Sequence, residues 1–451
     1  MIVAKFGGTS VADAAAIRRA ASIIRGRLDR QPLVVVSALA GTTNMLLAAA
    51  EQAASGHLVA AIAQVEALRE RHLSVAGELL GDDAVARDVA AEASALFDEL
   101  AHLSEALSVL GHMTPRSLDA FSSVGEQISA RIVATAFVRE GVDAALVDAR
   151  RVMVTDDSFG RAEPLPDAIA AAARELVSPL LRAGRVPVLG GYIGATESGV
   201  TTTLGRGGSD YSASLFGAAL EATAIEIWTD VDGMLTADPR VVTGARMIEH
   251  IRFDEAAELA TFGAKVLHPS TIAPAVRRGI PVFVLNSLRP EGKGTRITFD
   301  APREHVRAIA GKSNVLIVRV RSPRMLATPG ALRKIFEVFE RNRTSVDVVA
   351  TSEVSVSLTV EDDLHLESVV AQLREFGDVS VERGRGIVAL VGAGLGESSP
   401  HMARALAAIG DVRLHMLSLS ATGINLTLIV DAEQVQPVMV RLHDAFFGSH
   451  A

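Results

Sequence analysis

Ten consecutive residues, Thr201-Thr202-Thr203-Leu204-Gly205-Arg206-Gly207-Gly208-Ser209-Asp210, hold four hydroxyls, three glycines, one cation and one carboxylate. Glycine lets a backbone approach a phosphate closely. An arginine forks onto a carboxylate or phosphate, and an aspartate holds a metal ion or positions a donor. An apolar run (186–189) and a glycine-rich turn (190–199) come before this stretch, and a helical pattern (211–220) follows it. The spacing places the stretch in a loop entering a helix N-terminus, where unpaired backbone N–H groups favour anions. The same residues also describe a glycine-rich turn capped by Ser209 and Asp210. Taken alone, the stretch leaves both readings open.

Other stretches carry chemistry of the same kind. Lys5 lies just before Gly7-Gly8-Thr9-Ser10, between a short buried strand (2–6) and a helix running to about 28 whose apolar positions repeat at helical spacing. This reads either as a phosphate site or as a tight turn with an exposed lysine. Residues 33–36 form a β-branched run, hence a buried parallel strand. It ends in the hydroxyl-rich loop Ser37-Ala38-Leu39-Ala40-Gly41-Thr42-Thr43-Asn44, at the strand end where open α/β sheets bind ligands. Glu126, near the start of a helix over 121–140, suits a substrate amino group, although surface glutamate is the commoner fate. Thr229-Asp230 ends a strand (225–228), and Thr236-Ala237-Asp238-Pro239-Arg240 forms a second polar loop.

These groups need a scaffold, and the composition supports one. A length of 451 residues suggests two or three domains, and 49% apolar residues is enough for a large core in each. The net charge of -9 argues against a general nucleic-acid surface. The absence of cysteine excludes disulfides, thiolate metal sites and cysteine catalysis. The chain starts directly in a strand with no signal peptide, and no apolar run is long enough to span a bilayer. The expectation is a cytoplasmic protein without a membrane partner.

Strands alternate with helices over nearly the first 290 residues, which implies an α/β domain with a parallel sheet covered on both faces. Within it, residues from about 45 to 112 read as a lobe of two or three long helices. Residues 289–303 read as a linker. Beyond it a βαββ unit followed by a helix occurs twice, and Val356-Ser357-Leu358-Thr359 echoes Ile424-Asn425-Leu426-Thr427. Tandem split-βαβ modules are expected. The expected division is 1–298 for the first domain, a linker ending at 299–306, then modules at 307–384 and 385–451. Two motifs mislead. Gly311-Lys312-Ser313 ends like a P-loop, but Val306 stands where its first glycine belongs. Gly392-Ala393-Gly394-Leu395-Gly396 resembles a dinucleotide loop, but Glu397 takes the place of the third glycine. The histidines show no metal-ligand spacing.

Lys5-Phe6-Gly7-Gly8-Thr9-Ser10, Thr202-Thr203-Leu204-Gly205-Arg206-Gly207-Gly208-Ser209-Asp210, Trp228-Thr229-Asp230 and Phe262-Gly263-Ala264-Lys265-Val266-Leu267-His268-Pro269 together resemble the aspartate kinases, in order along the chain. The C-terminal part resembles that family's paired ACT regulatory modules, and the overall length resembles the monofunctional, lysine-sensitive type. The resemblance implies a three-layer α/β/α sandwich of the amino-acid-kinase type with a mostly parallel sheet, then two ferredoxin-like ACT modules. It implies transfer of a phosphoryl group from ATP, with Mg2+, to the side-chain carboxylate of L-aspartate in a homodimer or larger assembly.

The resemblance also assigns residues. Lys5, Gly7 and Gly8 would meet the ATP phosphates. Thr229, Asp230, Leu235, Asp238, Arg240 and Lys265 would line the nucleotide. Ser37, Thr43, Glu126, Arg206, Ser209 and Asp210 would surround the amino acid, with Lys5, Gly8, Asp210 and Lys265 at the reacting centre. No dedicated metal ligands are assigned. L-lysine would be the inhibitor, met by Met325, Thr328, Gly330, Ala331, Leu332, Asp347, Ser352 and Glu353; around 325–332 the match to lysine-sensitive members is partial. The rivals are another carboxylate kinase of this fold and a non-catalytic ACT amino-acid sensor.

Overall fold

A computed structural model describes residues 1–262, 269–322, 329–361, 365–397 and 399–448. The chain forms two compact units. As far as their residues are described, the first comprises Met1–Met234 and Val266–Phe299, and the second Leu235–Lys265 and Asp300–Ala451. The segment 235–262 therefore clusters with the C-terminal unit, although it lies inside the first expected domain.

In the first unit, strands β1 (Ile2–Phe6), β2 (Pro32–Val36), β3 (Ala144–Leu146), β4 (Val154–Thr155), β5 (Val186–Gly190), β6 (Ile193–Thr196), β7 (Thr201–Thr203) and β8 (Ala224–Thr229) are followed by β9 (Val282–Asn286) and β10 (Thr295–Thr298). The main sheet runs β3-β5-β2-β1-β8-β9-β10, parallel except for the last strand, while β4, β6 and β7 form a small second sheet. Strands β1, β2 and β5 are buried at every position, which is why they read as continuous apolar runs.

Helices α1 (Ala14–Arg25), α2 (Thr42–Ala54), α3 (Leu58–Leu80), α4 (Ala84–Leu110) and α5 (Pro115–Arg139) pack with one face of this sheet. Their ends follow local chemistry. The carboxylates of Asp13 and Asp83 cap α1 and α4, Gly111 in the left-handed region stops α4, and Thr114 with Ser117 forms a capping box before Pro115 of α5.

Alternation along β1 then decides where its polar residue points. Ala4 and Phe6 belong to the core shared with α1 and α5. Val3 faces the other way, toward helix α8 (Gly208–Ala219), which follows α6 (Pro166–Leu176) and α7 (Ser178–Arg182). There Gly217 lets α8 lie close to the sheet: a Cβ on it would stand 2.7 Å from Ile225 and 3.7 Å from Val3. Lys5 shares the face of Val3. Two helical turns before Gly217, the same side of α8 presents Asp210.

The second unit contains a six-stranded antiparallel sheet in the order β12 (Val346–Thr351), β13 (Ser355–Glu361), β11 (Ala308–Arg321), β14 (Asp378–Val391), β16 (Asn425–Asp431), β15 (Met416–Leu419). Two apolar cores underlie its halves, one around Phe339, Leu358 and Leu373 and the other around Leu390, Leu428 and Leu442. The sequence reading opens the first module's strand at 315 and divides the modules after 384. The pairing divides them differently. β11 and β14 are both long and run through the whole sheet. Residues 308–312 pair with 387–391, and 317–321 pair with 378–382. Each half thus has the split-βαβ strand order, but the fourth strand of the second half comes from residues that precede the first. Local sequence carries no sign of a partner some eighty residues away.

Candidate active site

Gly7 follows β1, and its N–H donates to the carbonyl of Trp228, 3.0 Å away on β8. Ser10 donates to the same carbonyl and exchanges a hydrogen bond of 2.8 Å with Ser287, which locks the glycine turn to the ends of β8 and β9. A Cβ on Gly8 would lie 3.1 Å from the Ala38 carbonyl and 3.3 Å from Ala40 Cα, so this turn closes against the loop after β2 only because position 8 has none. Ser37 in that loop bonds backbone to backbone with Phe6 and accepts from the Ser129 hydroxyl of α5 at 2.7 Å. Thr43 stands half-buried in the first turn of α2.

Lys5 Nζ lies 2.6 Å from Asp210 Oδ1, with both side chains about nine-tenths buried. The contact is ionic rather than directed, since this oxygen has no hydrogen-bond donor in line. Asp210 sits in the first turn of α8, beside Ser209. Before it, Gly205 and Gly207 adopt left-handed φ of +74° and +72°, which lifts Arg206 between them into solvent. Among the described residues its guanidinium has no ion-pair partner.

Glu126 on α5 is 3% exposed, and its Oε2 has no hydrogen-bond partner. Burial pushes its pKa up to about 8, opposed by backbone hydrogen bonds at Ala38 and Glu126 and by the charge of Lys5. A buried carboxyl with an open acceptor, next to a lysine already held by Asp210, fits a ligand that brings its own ammonium group.

Two residues that sequence reasoning passed over hold this arrangement together. Asp119, buried on α5, accepts hydrogen bonds from the Thr203 hydroxyl (2.6 Å), the Thr203 N–H (3.1 Å) and the Gly160 N–H (2.9 Å). It thereby ties the start of the glycine-rich stretch to the helix that carries Glu126. Tyr192 follows the Gly190-Gly191 pair with a left-handed φ of +67°. Its N–H donates to the Ser212 hydroxyl of α8, its carbonyl accepts from the Leu204 N–H, and its hydroxyl donates to Ser122 of α5. Its ring takes the space a side chain at Gly208 would need, 2.7 Å from such a Cβ. A strained non-glycine residue overdetermined by its neighbours is the pattern of a functional site. The signal in the sequence was an aromatic residue directly after paired glycines.

The remaining assigned residues separate by unit. Thr229 and Asp230 lie at the end of β8, with a 3.2 Å hydrogen bond between their side chains. Leu235, Asp238 and Arg240 belong to the second unit. There Arg240 donates to Asp238 at 2.6 Å, and the exposed guanidinium holds that carboxyl below its usual range. Also in the second unit, Gly330 opens a helix over Ala331–Arg341 in the left-handed conformation, Leu332 is exposed, and Ser352 and Glu353 lie in an exposed turn. Asp347 is paired with Lys312. Lys265, Met325 and Thr328 lie outside the described residues. The loop at Gly392–Gly396 is no phosphate cradle, because the Ala393 N–H already donates to the Glu255 carboxylate at 2.9 Å.

Residues 1–286 match the amino acid kinase family. Over 99% of both chains, the sequence is 38% identical to the lysine-sensitive aspartokinase 3 of Escherichia coli. It is 37% identical to the chloroplastic aspartokinase 3 of Arabidopsis thaliana, spanning 99% of this chain and 81% of that one. The chain belongs to the aspartokinases. The aspartokinase architecture extends over its whole length: the E. coli aspartokinase III structure with aspartate and ADP superposes with a TM-score of 0.86, covering 99% of this chain and 100% of that one. The structure of that aspartokinase with lysine and aspartate gives 0.82. Among the described residues, no helix is long and apolar enough to cross a membrane.

Proposed function

We propose that this aspartokinase transfers the γ-phosphoryl of MgATP to the β-carboxylate of L-aspartate through the groups assembled around Lys5 and Asp210. The observation that carries the reading is their ion pair at the start of α8, between two glycine turns and beside a buried carboxyl with a free acceptor. The acceptor carboxylate is ionised at neutral pH and needs no general base. Catalysis then consists of cancelling repulsion between anions, holding them in line and stabilising the phosphoryl in transit. Lys5 and the Gly7–Gly8 backbone serve the phosphates. Arg206 clamps the α-carboxylate, Glu126 takes the ammonium, and Ser37, Thr43 and Ser209 complete the amino-acid pocket. Asp210 fixes the Lys5 ammonium. Thr229, Asp230, Leu235, Asp238, Arg240 and Lys265 are proposed for the nucleotide.

Among the described residues, no group of three or more His, Cys, Asp or Glu side chains gathers to hold a metal. The donor set fits a magnesium ion that would arrive on the nucleotide phosphates, with Asp210, beside Lys5, as a carboxylate that could meet it; the ion would supply charge neutralisation.

The second unit is proposed as a regulatory pair of ACT modules that binds L-lysine through Gly330, Ala331, Leu332, Asp347, Ser352 and Glu353, with Met325 and Thr328. A homodimer is proposed as well. In support, β15 is an outermost strand of the sheet, and Leu417 and Leu419 on it are exposed.

Incubation with MgATP, L-aspartate and hydroxylamine tests the catalytic reading, with aspartyl hydroxamate as the expected product. Equal or faster turnover of L-glutamate would sink the substrate assignment.

A further inference from the structure

The carboxylate proposed for the lysine effector already holds an ammonium group. Lys312 Nζ lies 3.0 Å from Asp347 Oδ2 and 2.6 Å from Glu361 Oε1. The lysine and Asp347 are largely buried, whereas Glu361 is mostly exposed. Burial would lower the pKa of Lys312, but hydrogen bonds to Glu361 and Asp347 outweigh it and raise the pKa, so the cation is held firmly.

Backbone irregularities aim these side chains at each other. On β11 the pairing with β14 shifts register between Lys312 and Val315, and Asn314 within that bulge adopts a left-handed φ of +64°. On β12 the pairing with β13 shifts between Val346 and Val349, a bulge that contains Asp347. The Val348 N–H there donates to the Thr359 hydroxyl instead of the strand ladder. Bulges redirect side chains and cluster at functional sites. Two on nearby strands, converging on one ion pair, exceed what a structural salt bridge requires. Lys312 also lies in the part of β11 that pairs with the second half of the sheet, whereas both carboxylates belong to the first.

We infer that Lys312 is a built-in competitor for the effector at Asp347, and that Glu361 is the partner to which it retreats when a ligand ammonium arrives. This rests on the proposed lysine regulation. The tethered ammonium reduces the fraction of Asp347 available to a ligand, and the apparent affinity falls by that fraction. Glu361 offsets part of the loss because Lys312 keeps one carboxylate after the exchange. Sensitivity to the effector is then set by residues that need not touch it.

The test is calorimetric titration of the full chain, wild type, Lys312→Met and Glu361→Gln. The probes are L-lysine, L-norleucine (no side-chain ammonium) and 6-aminohexanoate (no α-ammonium). Lys312→Met should bind L-lysine about fivefold tighter or more, and the gain should vanish for the analogue lacking the ammonium that meets Asp347. Glu361→Gln should bind L-lysine more weakly than wild type. Unchanged or weaker lysine binding by Lys312→Met, with basal kinase activity and Tm retained, overturns the inference and leaves lysine regulation standing. Should Lys312→Met not fold, an unaltered lysine affinity in Glu361→Gln overturns it. Absence of lysine binding in wild type and Lys312→Met alike overturns both this inference and the lysine regulation it rests on.

Discussion

Lys5 on the first strand and Asp210 in the first turn of α8 form a largely buried ion pair of 2.6 Å, across 205 positions of sequence. The two residues act as one device: the carboxylate fixes the ammonium beside Gly7, whose added Cβ would lie 3.6 Å from Nζ. Lys5→Ala should lower kcat roughly a hundredfold or more while aspartate KM changes little, because the lost interaction is with phosphoryl charge that develops in the transition state. Asp210→Ala should cost nearly as much. The double variant should be scarcely worse than either single one, as expected for residues that work as a unit. Steady-state kinetics on the three variants decides this; additive losses would separate the two roles.

Glu126 gives a pH signature. In the ligand-free protein its carboxyl titrates at about 8, so at neutral pH it is mostly protonated and must lose a proton to accept a substrate ammonium. The kcat/KM for aspartate should therefore fall as pH drops below about 8, by up to tenfold per unit. Glu126→Gln should bind aspartate poorly and lose this slope. Stability moves the opposite way. The pKa is raised on folding from its ordinary 4.5, so the group's contribution is complete below that value and is lost as pH rises toward 8. At pH 7 the difference is about 3 kcal/mol, and Glu126→Gln should raise the Tm of the ligand-free protein by about 2–4 °C at that pH. A calorimetric scan at pH 5 and pH 7.5 would show the gain shrinking at the lower pH.

The alternation of strands and helices, the glycine turns and the cations beside them were legible because each is a local pattern: burial on both faces makes apolar runs, and phosphate turns need glycine. Glu126 was legible only as an option, since a carboxylate near a helix start is usually solvated, and its burial depends on the loop from Ser37 packing over α5. Asp119 carried no sign of a site role in the sequence, and Tyr192 only its place directly after paired glycines. Their importance lies in which elements they join, a property of tertiary structure alone. The pairing of residues 308–312 with the second half of the sheet is not legible locally, because their partner, 387–391, lies far ahead in the chain. Lys312 was noticed as part of a failed P-loop, and its actual partners come from two other strands.

Tyr192 should behave as a positioning residue. Tyr192→Phe removes the hydroxyl that reaches Ser122, one turn before Glu126, and keeps the ring against Gly208. Aspartate KM should rise several-fold with kcat nearly unchanged, at a cost of about 1 kcal/mol for one lost hydrogen bond. Gly191→Ala should be far worse. The new methyl would stand 2.7 Å from Ser209 Cβ and 2.8 Å from its Cα, so α8 must shift and carry Ser209 and Asp210 with it. The comparison to make is aspartate KM and Tm for both variants: an unaffected Gly191→Ala enzyme would show that the start of α8 is not held as described.

Arg206 provides the last test, because its placement depends on the two glycines beside it. Its guanidinium is exposed and without an ion-pair partner among the described residues, so removing it breaks nothing in the free protein. Arg206→Ala should leave Tm within about 1 °C of wild type, as for a surface substitution. It should raise aspartate KM by at least about tenfold, the scale of losing a charge-assisted hydrogen bond to a carboxylate. Arg206→Lys should recover only part of this, since an ammonium cannot fork onto both oxygens. Gly207→Ala should reproduce the KM defect by another route. An alanine at a φ of +72° is strained, and relaxing that strain would turn the loop and withdraw the guanidinium. Measuring KM and Tm on all three variants separates the effects: the arginine variants should lose affinity without stability, and Gly207→Ala should lose both. If Arg206→Ala kept its aspartate KM, the α-carboxylate clamp would have to be sought elsewhere in the pocket.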